Sequence, residues 1–489
     1  MNKTFPSMGK TDVHLLVFAA FFVNALIFVV LVSDPLLIAD AWYSLDVFIR
    51  QAYDGQLGIG DFFVQRAGID HALPLNNLVL LIELKWFRLS LLPQAVIGLF
   101  CAGLCAYLLY RLIQREEGEP DYRANASLMW LVMACALISL NSTGIWIWPL
   151  VALGFMSLVF VFWFYIALWN ALNTGRYVGL AVSAFLLAAV ADDKAVLAGA
   201  AALLAVLGFG WKRRLRQGWW RAPIVFTVAI GAVQVLIDVF GPVVGGEGGT
   251  APAIGQIVRF FLREGWWHWP VLALSNSVIS AETLTWIDAT HVFQWQVALA
   301  VILAGLHLWF WWRFLRARAT GTVFVAVCLM LLFYASVAGI VYGRVGVFGS
   351  DYLNQPRYVE LYQLNLVALA LMYVGGGRQP GADSWPKALR RLQPGIGLAL
   401  IFLVLQVAFI KHAWHTAPYI RLYYWKMAEQ TVAMAKNPEV TPPGCAPELP
   451  ICGMSPQQRS EILALLQKHN LNVFNDKFRA MHGFPPDWQ

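Results

Sequence analysis

The sequence predicts an all-α polytopic membrane protein with about eleven membrane-spanning helices, and three observations predict it. Of its 489 residues, 59% are hydrophobic and 13% charged, against roughly 45–50% and about 25% in soluble proteins. Mean hydropathy is +0.61. The apolar residues run in unbroken stretches of about twenty, the length of a helix that crosses the hydrocarbon, and not in the alternating segments of about ten that build a barrel. Finally, the basic residues fall on alternate loops, the pattern that orients membrane helices.

The expected spans begin with about Val13–Ser33, preceded by Lys3 and Lys10, which keep the N-terminus cytoplasmic. That stretch is too long for a signal-peptide core and has no small-x-small cleavage site, so it reads as an uncleaved anchor. A polar outer segment, about Asp34–Asn77, follows. Spans two to seven are about Leu91–Leu112, Ala126–Leu140, Pro149–Leu172, Tyr177–Ala191, Ala195–Trp211 and Ala222–Val243. A second long outer segment covers about Val244–Gln294. The last four spans are about Trp295–Trp312, Thr322–Tyr342, Tyr358–Val374 and Ile396–Ile410, and Lys411–Gln489 is a small outer tail domain of soluble composition. The domain division is therefore 1–410 for the membrane module and 411–489 for the tail.

Charge tests this threading. Arg111, Arg115 and Arg123 follow span two, and Arg176 follows span four. Lys212, Arg213, Arg214, Arg216 and Arg221 follow span six; Arg313, Arg316 and Arg318 follow span eight; Arg378, Lys387, Arg390 and Arg391 follow span ten. The opposite short loops hold few bases, so both long loops and the tail belong outside the cytoplasm. The expected location is the inner membrane. Trp269–Trp286 reads as a re-entrant piece, because an extra span would break this alternation. Clustering of bases in short loops, and not on one soluble face, also sets nucleic acid aside as a partner.

Cys101, Cys105, Cys135 and Cys328 fall within spans and read as packing residues, whereas Cys445 and Cys452 sit in the tail where a small disulfide loop is plausible. Ser455–His469 reads as an amphipathic helix with Pro456 in its first turn. Most of the 22 tryptophans fit interfacial aromatic belts. Asp192-Asp193-Lys194 reads as a solvated turn with a local ion pair. His412 and His415 have a metal-like spacing, but no carboxylate lies near in sequence, so no metal is expected. No phosphate-binding glycine loop occurs, which argues against a nucleotide-sugar or ATP donor. No cofactor is expected.

Chemistry-bearing residues gather on the outer side. In the first loop, Trp42, Leu45, Phe48, Ile49 and Tyr53 share one helix face, suited to lying on the membrane surface. Asp40 precedes this helix. Asp70-His71 precedes a second short apolar helix, about Leu75–Phe87. A carboxylate at this boundary can accept a hydroxyl proton, and a histidine can orient it or touch a phosphate. Gln355-Pro356-Arg357-Tyr358 stands at the outer start of a late span, with Arg344 before it; guanidinium suits a lipid phosphate because it stays charged and donates bidentately.

This constellation resembles the GT-C superfamily of membrane glycosyltransferases. The likeness covers nearly the whole chain in topology and rests on three pieces. These are Asp40-Ala41-Trp42 with Asp70-His71 after a first span, the Arg357-Tyr358 pair, and the short outer tail. Ala41 stands where many bacterial members carry a second carboxylate, so two-carboxylate or metal chemistry is not expected here. The resemblance implies transfer of a sugar from a polyprenyl-phosphate carrier to a cell-envelope or lipid acceptor, with inversion. Asp40 is then the catalytic base, Asp70, His71 and Trp42 contact donor or acceptor, and Arg357, Arg344 and Tyr358 bind the lipid phosphate. The alternatives are a transporter or flippase of lipid-linked sugar, or an O-antigen ligase or polymerase-type enzyme with a diphosphate donor. Absence of a clear internal repeat disfavours the transporter.

Overall fold

The computed structural model describes residues 10–42, 45–63, 73–116, 120–191, 193–211, 218–240, 255, 267–375 and 394–485. Among them the chain is helical throughout, with no strand. Nine segments are long and apolar enough to cross a membrane, and two shorter apolar helices, Ala126–Leu137 and Val178–Ala191, accompany them. This is the architecture a chain adopts when lipid offers its backbone no hydrogen bonds.

The bundle is built from α1 (Lys10–Val32), α2 (Leu92–Gln114), α3 (Pro120–Leu137), α4 (Gly154–Thr174), α5 (Val178–Ala191), α6 (Asp193–Trp211) and α7 (Arg221–Phe240). It continues with α8 (Val292–Arg316), α9 (Gly321–Ile340), α10 (Leu364–Gly375) and α11 (Pro394–Lys436). Helix α9 is the centre, packed against α6, α10 and α4. On α6 the buried face is Ala195, Ala198, Ala201, Ala202 and Ala205. Alanines at this spacing let two backbones approach closely, the usual source of packing energy where lipid is as apolar as the helix.

Trp269–Trp286, read from the sequence as a re-entrant piece and not a span, forms two short helices, His268–Val278 and Ala281–Ile287, broken at Ile279 and Ser280. At about 1.5 Å per residue neither can cross the hydrocarbon. The last helix does not stop near position 410. It runs on as α11 for 43 residues, because apolar residues such as Tyr424, Met427, Ala428 and Val432 continue at helical spacing and are buried outside the bundle.

Those residues belong to a second apolar core, shared by the first long loop and the tail. Trp42, Leu45, Phe48 and Ile49 are buried in it together with Ile462, Leu463, Leu466 and Phe478 from the tail. The first-loop helix expected to lie on the membrane surface therefore spends its apolar face on protein. Asn472 fastens the two parts, its side-chain amide donating to the carbonyls of Pro35 (3.0 Å) and Leu89 (2.6 Å). The tail helix (Pro456–Lys468) starts with a reciprocal capping box between Ser455 and Gln458, which satisfies orphan N–H groups at its first turn. Arg459, buried on that helix, donates to the carbonyls of Ile451, Pro438, Cys452 and Met454. It thereby holds the loop closed by the Cys445–Cys452 disulfide.

Glu83 is the buried acid of this outer cap, fully enclosed. Gln94 donates to it from both its backbone N–H (3.1 Å) and its side-chain amide (2.7 Å). Burial outweighs these bonds and pushes its carboxyl up to about 8 from an ordinary 4.5. The folded chain thus holds a proton that the unfolded chain releases above pH 4.5. Stability from this group is complete below that pH and is lost as pH rises toward 8. Glu83→Gln, which mimics the protonated acid, should flatten the fall in melting temperature between pH 5 and 8; an unchanged slope would rule Glu83 out as its cause.

Candidate functional site

The short segment between α3 and α4 organises one end of the bundle. Its helix, Thr143–Ile147, is tied to three other regions. The Ile147 carbonyl accepts from the backbone N–H of Asp34 (2.9 Å), just past α1. The Asn141 side chain accepts from the Ser280 N–H (2.8 Å), and its carbonyl accepts from the Ser280 and Thr283 hydroxyls (2.6 and 2.8 Å). Gly144 lies against Pro356, so close that a Cβ there would sit 2.4 Å from the proline ring. Only glycine leaves room for this approach.

Pro356 leads directly into Arg357, the first site residue. Its guanidinium is half-buried among three rings: Tyr352 and Tyr358, each 5.3 Å from ring centre to Cζ, and Trp148 at 5.9 Å. One Nη donates to the Tyr352 hydroxyl, and Nε is buried without a hydrogen-bond partner among the described residues. Cation–π contacts hold the charge among the rings without consuming its donors. Arg344 is near enough to Tyr358 for its charge to act on the Tyr358 phenol. An anionic oxygen meeting Nε would relieve a buried, unsatisfied donor.

Three residues on, Glu360 is buried and pairs with Lys194 at 3.1 Å. Its carboxylate fits because Gly154 carries no Cβ, which would stand 2.9 Å from it. Lys194 thus makes a long-range ion pair between helices, while Asp192 and the Asp193 side chain, its expected partners in the turn, lie outside the described residues. The pair cancels two charges and leaves the Arg357 charge uncancelled by that glutamate.

The first-loop residues are placed less completely. Asp40 contributes its backbone to a tight turn, Ala39–Trp42, and its side chain, like Asp70 and His71 altogether, lies outside the described residues. The turn is anchored where the Ala39 N–H donates to the Glu448 carbonyl (2.7 Å), whose carboxylate takes the Tyr423 hydroxyl. Trp42 is 1% exposed, and its indole N–H donates to the Leu37 carbonyl (2.6 Å). Its ring is part of the core. Asp34, also fully buried, has one carboxylate oxygen bound by the Leu36 N–H (2.8 Å). Burial pushes its carboxyl well above the usual range, the Leu36 bond opposes this, and the Glu448 charge adds to it.

Sequence reasoning passed over a second polar cluster beside Gly144. Glu282 accepts the Thr143 hydroxyl and stands 3.8 Å from Nε2 of His412 on α11. His412 was set aside for lack of a nearby carboxylate; the carboxylate comes from a distant loop. The available signal was Ser280-Ala-Glu282-Thr283, a helix cap that places an acid in the first turn. Among the described residues no group of three or more metal-ligating side chains occurs. Comparison with protein-family models, curated proteins and solved structures finds no match to this chain.

The Gly144 contact carries a prediction. Gly144→Ala should cost about 1–3 kcal/mol, the range for overpacking, and lower the melting temperature. Gly179→Ala, on α5 where an added Cβ meets nothing within 4 Å, should not lower it. Equal behaviour of the two would show that the close approach is unimportant.

Proposed function

We propose that this protein is a glycosyltransferase that moves a sugar from a polyprenyl-phosphate carrier to a cell-envelope or lipid acceptor at the outer membrane face. The observation that carries the reading is Arg357. A guanidinium caged by aromatic rings, with a buried free donor, at the end of a membrane helix suits the phosphate of a lipid carrier better than it suits bulk solvent. Counting the two shorter apolar helices as crossings gives eleven, with the N-terminus cytoplasmic and the tail outside. Arg357, Asp40 and the tail then share the outer side.

In this reading Asp40 accepts the proton of an acceptor hydroxyl. The acceptor oxygen bonds to the anomeric carbon as the bond from that carbon to the phosphate oxygen breaks. The electron pair leaves with the phosphate, whose growing charge Arg357 and Arg344 offset. Attack opposite the leaving group inverts the anomeric centre. Ala41 supplies no second carboxylate, so a single base is assigned in the first loop.

The test is sugar transfer in native membranes. Asp40→Asn should lower it by about 10²–10⁴-fold, the range for a lost general base, with expression and insertion intact. Arg357→Lys should fall well below wild type, because an ammonium cannot replace a bidentate fork. Normal turnover in Asp40→Asn would remove Asp40 from the mechanism, and normal turnover in Arg357→Lys would remove the phosphate assignment.

A further inference from the structure

Glu282 and His412 remain unused by this mechanism, and their geometry is not that of a satisfied structural pair. The His412 ring is buried, its side chain 3% exposed, yet neither ring nitrogen has a hydrogen-bond partner among the described residues. One oxygen of Glu282 takes the Thr143 hydroxyl; the other is enclosed and also lacks a donor. Burying polar atoms unpaired is costly, so the cluster favours a ligand that both donates and accepts at one point. A hydroxyl does both: it donates to the carboxylate and accepts from an imidazole N–H.

The surroundings narrow the ligand further. Glu282 is 31% exposed while His412 is nearly closed off, so the cluster meets the surface on its Glu282 side. Trp286, itself part-exposed, lies with its ring 4.9 Å from His412. From there an aromatic path runs along α11 through His415 and Tyr419. Tyr419 borders an open cavity of about 460 Å³, lined also by Tyr423 and Trp425. A flat aromatic face beside a carboxylate and an imidazole matches a sugar ring, apolar on its C–H face and hydroxylated at its rim. The Asn141 bonds that fasten Ser280 and Thr283 hold Glu282 rigidly, so little ordering is required when a ligand binds.

We propose that Glu282, His412 and Trp286 form a subsite for a neutral sugar ring, with Trp286 stacking on the ring and the Glu282–His412 pair binding one of its hydroxyls. The naming of a sugar rests on the transfer reading above, but the subsite is testable without turnover. It stands beside the Arg357 cage, because Thr143 precedes the glycine that packs on Pro356.

The measurement is tryptophan fluorescence of the full-length protein in lipid nanodiscs, titrated with octyl β-glucoside below solubilising concentration. Octylphosphocholine serves as the equal-chain control, and Trp286→Phe isolates the Trp286 signal. The expected result is a saturable, Trp286-dependent change with the glucoside alone, weakened about tenfold or more in Glu282→Gln and in His412→Asn, as for one lost charged hydrogen bond. No saturable change in wild type, the same change with octylphosphocholine, or an undiminished response in Glu282→Gln would overturn the subsite and leave a water-filled polar cluster. Displacement of the glucoside by polyprenyl-phosphate sugar marks the donor's ring as occupant; binding without displacement marks the acceptor's. A positive titration in a protein that transfers no sugar would sink the transfer reading and keep the subsite. The reverse pattern would sink the subsite alone.

Discussion

The end of the bundle that holds the candidate site depends on the close fit between Gly144 and Pro356. The segment from Ser139 to Trp148 is tied at once to the end of the first helix, the broken helices before α8 and the start of the Arg357 span. Most of its contacts use a backbone group on at least one side, so they fix positions rather than merely add energy. With the segment in place, Trp148 becomes one wall of the Arg357 cage, and Thr143 becomes the hydroxyl that orients Glu282. One loop of about ten residues thus sets the spacing between a cationic centre and a polar pocket.

Above that loop, the chain solves a different problem. The first outer loop is too short to bury its own apolar face, and so is the tail. Each completes the other: Trp42, Leu45 and Phe48 find partners in Ile462, Leu463 and Phe478, and Asn472 satisfies the carbonyls of Pro35 and Leu89. The continuation of α11 beyond the bundle is the strut that carries the tail to its place. Because water competes for exposed hydrogen bonds and lipid does not provide any, the shared apolar core is the dominant stabilising term for this cap.

Much of the fold is legible in the sequence because the bilayer imposes a length and a composition on each helix. The starts of α2, α5, α7 and α9 fall within a residue or two of the expected boundaries. The end of α11 was not legible, since its outer half carries an apolar stripe that reads as soluble when the tail partner is unknown. Within the site, Arg357 and Tyr358 stand out by their position at a span's outer start. Trp42 entered the site only through the resemblance; its ring is buried and its indole N–H goes to the Leu37 carbonyl, neither of which local spacing reveals. Glu282, Thr143, Glu360 and His412 were opaque for a single reason. Their partners are distant in sequence, and a pairwise contact between distant elements leaves no local periodicity to read.

The central claim is that a lipid monophosphate is the leaving group at the outer face. The direct measurement is to give the purified protein in proteoliposomes a polyprenyl monophosphate sugar, a polyprenyl diphosphate glycan, or neither, and to follow both the sugar and the freed lipid phosphate. The account predicts sugar transfer with matching release of polyprenyl phosphate from the monophosphate donor alone. Movement of intact lipid-linked sugar across the bilayer without bond cleavage, or cleavage confined to the diphosphate donor, would contradict it.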